Sequence, residues 1–399
     1  MSGAVRYSHW VTPGEPSPQA RRRTRPYCRR VIARTEARGA QPRLHVVTGK
    51  GGTGKTTVAV ALALSLADEG KRVLVCEVEG RQGVSRLLGT EALPYEEVEL
   101  AEGAGGGQVV GLAVEPRAAL VDYLDTFHGG VLGGRGGRVS TVLDRAGAVE
   151  FIADVAPGLR DVLLVGKVYE AVRRTVDGGR AGSTSSAQPV YDAVVLDAPP
   201  TGRITRFLGI GDELAQLAVG GPIAARAASV AALLRSEQTA VHLVCLPEEL
   251  PVTETLEAAA ELRAADLPVG AVVANRVLTA PAEDGGAPSR VRGALRRALA
   301  PQPDLDDGGS APADDGVEAL VAALLTQNRG RAGRVAEQRR WLEVAAGAGR
   351  PVRELPDLPG GVDLEGLYRL ADDLAAAPLP TPRDRPAPTG PTAPAGGAA

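Results

Sequence analysis

A nine-residue run near the beginning of the chain combines glycine, lysine and threonine in an order that suits phosphate binding. The run is Gly49-Lys50-Gly51-Gly52-Thr53-Gly54-Lys55-Thr56-Thr57. Glycines let the backbone turn sharply, so that its N–H groups can surround a polyphosphate at the positive end of a following helix. In that arrangement Lys55 reaches the β- and γ-phosphates, and the Thr56 hydroxyl binds Mg²⁺. We therefore predict a nucleotide-binding loop whose contacts are Gly49, Gly51, Gly52, Thr53, Gly54, Lys55, Thr56 and Thr57.

Lysine is rare in this chain, which makes its presence in the loop informative. The only lysines are Lys50, Lys55, Lys71 and Lys167, so two of the four lie within the run. A lysine ammonium is a compact charge that the rigid fork of arginine does not replace. We therefore expect both loop lysines to have a chemical role, and the additional one, Lys50, narrows the class of loop.

A second candidate functional residue ends another apolar run. The segment 191–197 closes with Asp197 and continues directly into Ala198-Pro199-Pro200-Thr201-Gly202. An aspartate at the carboxyl end of a strand beside the phosphate loop can complete the Mg²⁺ shell. The alternative interpretation is an aspartate that only caps the following helix. We predict that Asp197 and Thr56 together hold the Mg²⁺ of a bound nucleotide.

The elements that must position these residues follow the pattern of a parallel α/β sheet. Several apolar runs are continuous rather than alternating, as in strands that are buried on both faces. Helical patterns lie between the runs, and an apolar helix follows the phosphate loop. We therefore predict a doubly wound, mostly parallel α/β sheet with the loop after its first strand. The predicted strands are 44–48, 73–78, 109–114, 190–197, 240–246, 269–275 and 351–355.

The chain is expected to contain one folded domain with a disordered segment at each end. We place the nucleotide-binding domain at 43–375, with a helical subdomain inserted at about 115–180 and a flexible surface loop at about 280–316. Residues 1–42 are arginine-rich and residues 376–399 are rich in proline and alanine, so both are predicted to be disordered. The basic arm could instead contact an anionic lipid or a nucleic acid, and this alternative stays open.

Composition excludes several classes of protein. The net charge of −3 gives no general attraction to nucleic acid, so no nucleic-acid partner is expected. The three cysteines are far apart and form no C-x-x-C pair, which argues against a disulfide framework or a zinc site within the chain. No apolar run reaches eighteen residues, so no transmembrane segment is predicted. We expect a cytoplasmic protein, with peripheral membrane association left open.

These motifs together resemble one family of ATPases. The loop at 49–56 is similar to the deviant phosphate loop of the MinD, ParA, nitrogenase-iron-protein and ArsA group of P-loop NTPases. The segment Asp197–Gly202 resembles the switch II sequence D-x-x-P-T-G of the ArsA-like branch, which contains arsenite-pump and tail-anchored-protein-targeting ATPases. The actinobacterial paralogues of this branch are the most similar in composition and in Glu77–Gly83. Further matches are Cys245–Leu250 with Glu254-Thr255, Leu355–Pro359, and Asn275, whose counterpart grips adenine.

The resemblance implies an ATP-binding and ATP-hydrolysing dimeric switch with ATP and Mg²⁺ as cofactors. The counterpart of Lys50 in the family reaches across the interface to the partner's phosphates, so nucleotide would close a homodimer or a heterodimer with a paralogue. The family's switch I aspartate falls on Glu79, which would orient the attacking water. Glu77 is an alternative if the register slips, and both residues could instead be charges at the start of a helix. The catalytic set implied is Lys50, Lys55, Glu79 and Asp197.

Departures from the family pattern bear on the partner. Arg203 stands where the family has a histidine, which affects how switch II would be coupled to a substrate. No cysteine lies between residues 100 and 180 and the only methionine is Met1, so neither a thiolate metalloid site nor a methionine-rich groove is expected in the insert. An apolar or membrane-associated partner that binds the helical insert stays open.

Two other functions remain to be weighed against this one. A positioning ATPase of the MinD or ParA type would need an amphipathic membrane helix or a basic DNA-binding face, and the proline-rich tail at 376–399 argues against the first. A nucleotide-binding subunit with low turnover, acting in a heteromer with a paralogue, would keep the loop but lose efficient hydrolysis. Measured ATP hydrolysis, by the chain alone and with its paralogue, distinguishes the low-turnover subunit from the dimeric switch.

Overall fold

An eight-stranded sheet forms the centre of the described structure. The computed structural model describes residues 42–78, 80–128, 157–176, 188–217, 222–280, 287–298 and 314–379. Predictions for residues 1–41, for Glu79, for the middle of the insert and for residues 380–399 fall outside these ranges. The strands are β1 (Leu44–Gly49), β2 (Arg72–Glu77), β3 (Val98–Glu102), β4 (Gln108–Ala113), β5 (Ala193–Asp197), β6 (Thr239–Cys245), β7 (Val269–Val277) and β8 (Val352–Pro356).

The strands confirm the predicted doubly wound, mostly parallel sheet. Their order across the sheet is β3-β4-β2-β5-β1-β6-β7-β8, so β1 lies in the interior with β5 and β6 as neighbours. Every neighbouring pair is parallel except β3 and β4, which are antiparallel at one edge. The sequence did not predict β3, because its residues are partly exposed and two of its five side chains are glutamates.

Helices cover both faces of the sheet. They are α1 (Lys55–Asp68), α2 (Gly83–Leu88), α3 (Pro116–His128), α4 (Pro157–Arg173), α5 (Thr201–Leu217), α6 (Pro222–Leu234), α7 (Glu249–Ala264), α8 (Ala287–Ala298), α9 (Asp314–Ala345) and α10 (Leu364–Ala376). Alternate residues of β1 belong to two cores: Val47 packs with α1 and α10, whereas Leu44 and Val46 pack with α4, α5, α6 and α7. Eleven of the fourteen residues of α1 are buried, so this helix fixes the loop before it.

Helix α4 lies in the region expected to form a separate insert, but it packs on the sheet. Its residues Leu164, Val165 and Val168 belong to the same buried cluster as Leu112 of β4 and Leu196 of β5. The described part of the insert therefore contributes to the main core. The helix follows the apolar i, i+4 spacing of Leu164 and Val168, which places both side chains on one face.

The segment expected as a loop at 280–316 is corrected by the structure. It contains α8, and α9 begins at its end, at Asp314. Arg292 of α8 donates to both carboxylate oxygens of Glu318 of α9, at 2.5 and 2.9 Å. The sequence pattern gave little apolar signal here because α8 is rich in arginine and buries little.

Within the described ranges, no helix is long and apolar enough to cross a bilayer.

Candidate nucleotide-binding site

The phosphate loop (residues 49–57) lies between β1 and α1, at the carboxyl edge of the sheet. Gly54 is the residue before α1 and has φ 91°, a left-handed conformation that favours glycine. A Cβ atom at Gly54 would lie 2.3 Å from Nδ2 of Asn275, and one at Gly49 would lie 2.1 Å from the carbonyl oxygen of Val244. Glycine is therefore required at both positions, because Val244 of β6 and Asn275 of β7 come close to the loop. The first turn of α1 contains no acidic side chain, which suits an anion at its positive end.

The two loop lysines take different positions. Lys55 is only 7% exposed, and its Nζ donates to the carbonyl oxygen of Lys50 at 3.3 Å, within the loop itself. Lys50 instead directs its ammonium away from the loop, to Oε1 of Glu254 on α7 at 2.6 Å. The side chain of Lys50 remains 35% exposed. Lys55 is thus placed to meet phosphates held by its own loop, whereas Lys50 is at the outer rim.

Thr56 and Asp197 come together as predicted for a metal-binding pair. Strands β1 and β5 are neighbours with Val47 beside Asp197, so the end of β5 faces the phosphate loop. The Thr56 hydroxyl donates to Oδ2 of Asp197 at 2.7 Å, and Asp197 is 8% exposed. A hydroxyl and a carboxylate are the hard oxygen donors that Mg²⁺ takes. The donor set therefore fits a magnesium ion that also binds nucleotide phosphates.

The segment after Asp197 is fixed to β1 by two hydrogen bonds. Ala198 N donates to the carbonyl oxygen of Val47 at 3.0 Å, and the Thr48 hydroxyl donates to that of Pro199 at 2.6 Å. Helix α5 then begins at Thr201. Asp197 and the first residue of α5 are thus four residues apart, joined by a segment that is bonded to β1.

Asn275 contacts the loop through its side chain. It lies near the end of β7 and is 5% exposed, and its Nδ2 donates to the carbonyl oxygen of Thr53 at 2.9 Å. Its Oδ1 accepts from the backbone N–H of Arg276 at 3.0 Å. The sequence predicted Asn275 at the nucleotide, and the structure places it beside the loop. Its contact with an adenine ring stays a prediction.

Of the two candidates for orienting water, the structure describes Glu77 but not Glu79. Glu77 is 2% exposed and accepts from the backbone N–H groups of Gly83 and Val84 at 3.0 and 3.3 Å. Its carboxylate therefore holds the beginning of α2, which is the helix-start alternative considered from the sequence. Glu79 lies outside the described residues, so its role stays a prediction.

Two residues of the site were not singled out by their chemistry in the sequence. Gln82 has φ 53°, and its side-chain Oε1 accepts from Leu93 N at 2.7 Å while Nε2 donates to the Leu93 carbonyl at 3.1 Å. A Cβ atom at Gly83 would lie 2.9 Å from Cγ2 of Thr56. The start of α2 therefore lies against Thr56, one of the two residues predicted to hold Mg²⁺. The clustering of glycine and glutamine at 80–83 was the available signal.

The described cysteines are core residues. Cys76 and Cys245 are both fully buried and unbridged. Burial raises the pKa of the Cys76 thiol to about 12 and that of Cys245 to about 11. Thiolate chemistry is therefore suppressed at both positions. Among the described residues, no group of three histidine, cysteine or acidic side chains is arranged to hold a metal.

Comparison with known proteins places both motifs in one matched domain. The chain matches the CobQ/CobB/MinD/ParA nucleotide binding domain over residues 44–374, which includes the phosphate loop and Asp197. ATPase BagA of Mycobacterium tuberculosis is 45% identical over 336 residues, covering 84% of this chain and 92% of the relative. Putative ATPase Mb3704 of Mycobacterium bovis has the same identity and coverage. ATPase GET3 of Kluyveromyces lactis is 25% identical over 269 residues, or 60% of this chain and 73% of the relative.

Proposed function

We propose that this chain, which belongs to the ArsA-like ATPases of the CobQ/CobB/MinD/ParA nucleotide-binding family, works as a dimeric switch that closes on ATP. Its activity as a member of this family is ATP hydrolysis. The dimer, the Mg²⁺ ion and the action on a partner are parts of the proposal. The two subunits would be identical or would be this chain and a paralogue.

The position of Lys50 is the observation that carries the proposal. A lysine that served its own phosphate loop would be expected inside it, as Lys55 is. Lys50 instead points outward to Glu254, on the rim formed by the loop and α7. From this rim its ammonium can reach the phosphates of a facing subunit once the ion pair with Glu254 opens. A second ammonium has its largest effect in a closed site, where water is excluded.

The other residues of the site would have separate roles in hydrolysis. The backbone N–H groups of the phosphate loop and Lys55 bind the β- and γ-phosphates. Thr56 and Asp197 would hold Mg²⁺, which supplies neutralisation of charge on the phosphates as the bond breaks. Glu79 would accept a hydrogen bond from the attacking water, with Glu77 occupied in holding α2. Asn275 would contact the base.

Helices α4 and α5 would transmit a conformational change at the nucleotide site to a bound partner. The segment from Asp197 leads into α5, and Phe207 of α5 shares a buried cluster with Leu164 and Val168 of α4. Cores rearrange between discrete packings rather than deforming continuously, so a shift at Asp197 would move these helices together. An apolar or membrane-associated partner that binds the region around α3 and α4 would then be bound or released according to the nucleotide.

Lysine variants test this proposal with a control from the same chain. Lys55→Ala is expected to abolish ATP binding measured by calorimetry, because it removes the charge that meets the phosphates. Lys50→Ala is expected to keep ATP binding but to lower the hydrolysis rate by about 100-fold and prevent ATP-dependent dimer formation in analytical ultracentrifugation. Lys71→Ala is the control, since Lys71 pairs with Glu69 in the turn before β2. Full hydrolysis by Lys50→Ala would refute the role of Lys50 in the partner's site.

A further inference from the structure

A small cavity opens beside the nucleotide site, between the segments that follow β2 and β5. Its volume is about 120 Å³. Val78 and Arg81 contribute from the segment after β2, and Arg203 from the first turn of α5. Helix α4 forms the remaining wall with Arg160 and Asp161. The cavity therefore contacts both segments that the proposed function assigns to nucleotide sensing, together with a helix from the predicted insert.

The inner wall of the cavity is apolar. Val78 and Leu164 are each 2% exposed, and Phe207 is 1% exposed. All three belong to the buried cluster on this face of the sheet. A buried apolar wall lowers the local dielectric response, which strengthens electrostatic interactions at the mouth of the cavity.

The mouth of the cavity is strongly basic. Three arginines line it, Arg81, Arg160 and Arg203, and all three are exposed to solvent. Asp161 is the acidic residue among the described lining residues, and its Oδ1 lies 3.8 Å from a guanidinium nitrogen of Arg203. The described lining thus carries two more positive charges than negative ones. Planar guanidinium groups bind phosphate and carboxylate oxygens through paired N–H donors.

Asp161 competes with an external anion for these arginines, but from a less solvated position. The residue is 7% exposed, and desolvation raises the pKa of its carboxyl although Arg203, Arg160 and Arg206 act in the opposite direction. The cost of charging a group is high at the position of Asp161 and lower at the solvent-facing rim. An external anion at the rim would reach the same arginines without that cost.

The size of the cavity limits what it can hold. The cavity has a volume of about 120 Å³. Whole nucleotides and drug-sized ligands occupy pockets of about 300 Å³ or more. The cavity therefore has room for one phosphate or carboxylate group rather than for a second nucleotide.

We propose that this arginine-lined cavity is an anion site, which binds the phosphate or carboxylate group of a ligand between the segments after β2 and β5 and helix α4. The group belongs either to a small oxyanion or to an acidic side chain, since both present the same oxygen geometry. Anion binding would stabilise one arrangement of the two segments, so anion and nucleotide affinities are linked. This coupling rests on the proposed ATPase switch, whereas the binding itself does not.

The test uses the full chain saturated with ADP and Mg²⁺, which occupy the α- and β-phosphate positions of the loop, and the arginine variants below separate binding in the cavity from binding at the γ-phosphate position. Sulfate and, separately, acetate are titrated by calorimetry in low-chloride buffer. One saturable site per chain is expected for at least one of them: binding of sulfate indicates a phosphate-type ligand, and binding of acetate alone indicates a carboxylate. Dimer closure is not part of the readout, so a failure of the switch proposal would leave this result unchanged.

Three variants test whether the anion binds in this cavity. Arg160→Gln, at an exposed position, is expected to weaken anion binding by about tenfold or more, because it removes a charge-assisted pair. Asp161→Asn is expected to tighten binding, because it removes the competing carboxylate, an effect that a merely structural role would not produce. Arg173→Gln, at the other end of α4, is expected to leave the affinity unchanged. No saturable binding to the wild-type chain, or equal affinity in Arg160→Gln, would overturn the proposal.

Discussion

At the scale of single residues, the site depends on a few short contacts at the carboxyl edge of the sheet. The Thr56 hydroxyl donates to Asp197 at 2.7 Å, and Lys55 lies over its own loop. These positions were predictable from sequence because the strand, glycine loop and helix order fixes them locally. The sequence left the role of Glu77 open between orienting water and a charge at the start of a helix, because the choice depends on how α2 folds back onto the end of β2.

Replacing Asp197 tests the prediction that Thr56 and Asp197 hold Mg²⁺. In Asp197→Asn the amide can still accept from Thr56, but the negative charge that favours Mg²⁺ is gone. We expect the Mg²⁺ dependence of ATP affinity to disappear, with hydrolysis lowered about 100-fold. Calorimetric titration of ATP with Mg²⁺ and with EDTA measures this. Asp192→Asn is the control, since Asp192 lies before β5 and accepts from Arg72 N. An unchanged Mg²⁺ effect in Asp197→Asn would contradict the assignment.

Two glycines of the loop should respond differently to the same substitution. Gly54→Ala places a methyl group 2.3 Å from Nδ2 of Asn275 at φ 91°, so we expect a loss of about 1–3 kcal/mol in the free energy of unfolding. Gly51→Ala meets nothing within 4 Å and should leave stability nearly unchanged. Chemical denaturation without nucleotide measures both values. Equal effects at the two positions would show that the close approach of Asn275 does not constrain the loop.

At the scale of elements, helix starts and strand ends bring the site together. Strands β1, β2 and β5 are neighbours, so the phosphate loop, α2 and α5 all begin at one edge. Continuous apolar runs made this arrangement predictable. The edge strand β3 and the arginine-rich α8 were missed because each is stabilised by tertiary contacts rather than by an apolar pattern. The bidentate pair between Arg292 and Glu318 is one such contact.

Glu77 provides a prediction at the level of helix α2. Glu77→Gln replaces one acceptor oxygen by an N–H₂ group facing a backbone donor, so α2 should lose its anchor and the free energy of unfolding should fall by about 1–3 kcal/mol. Denaturation and hydrolysis are measured on the same preparation. Glu99→Gln, at an exposed position in β3, is the matched control. Normal stability with abolished hydrolysis would instead identify Glu77 as the water-orienting residue.

At the scale of the whole domain, the sheet interior contains a buried pair of histidines that makes stability depend on pH. His45 of β1 and His242 of β6 lie with Nδ1 and Nε2 3.1 Å apart, and their rings are stacked. Burial lowers the pKa of His45 to about 4, with Lys71 adding to the effect. Burial, His45 and Arg350 lower the pKa of His242 well below its usual value. Both rings are therefore neutral in the folded domain.

The direction of the pH effect follows from proton binding. Below about pH 6.5 the unfolded chain binds protons at these histidines and the folded domain does not, so stability is highest above this pH and falls as pH decreases. Each histidine contributes a slope of up to about 1.4 kcal/mol per pH unit. We expect His45→Gln to reduce the slope of unfolding free energy between pH 7.5 and 5.5. An unchanged slope in this variant would exclude His45 as a source.

The central claim is that Lys50 completes the ATP site of the other subunit, and mixing two inactive variants tests it most directly. The Lys50→Ala chain keeps Lys55, and the Lys55→Ala chain keeps Lys50, so a mixed dimer contains one site with both lysines only if Lys50 acts across the interface. Because neither variant is expected to close a dimer with itself, the mixed dimer is the one that forms on ATP, and one of its two sites is complete. The account predicts a recovery of ATP hydrolysis to as much as about half of the wild-type rate, since one site in two is complete. A mixture no more active than the two variants measured separately would contradict it.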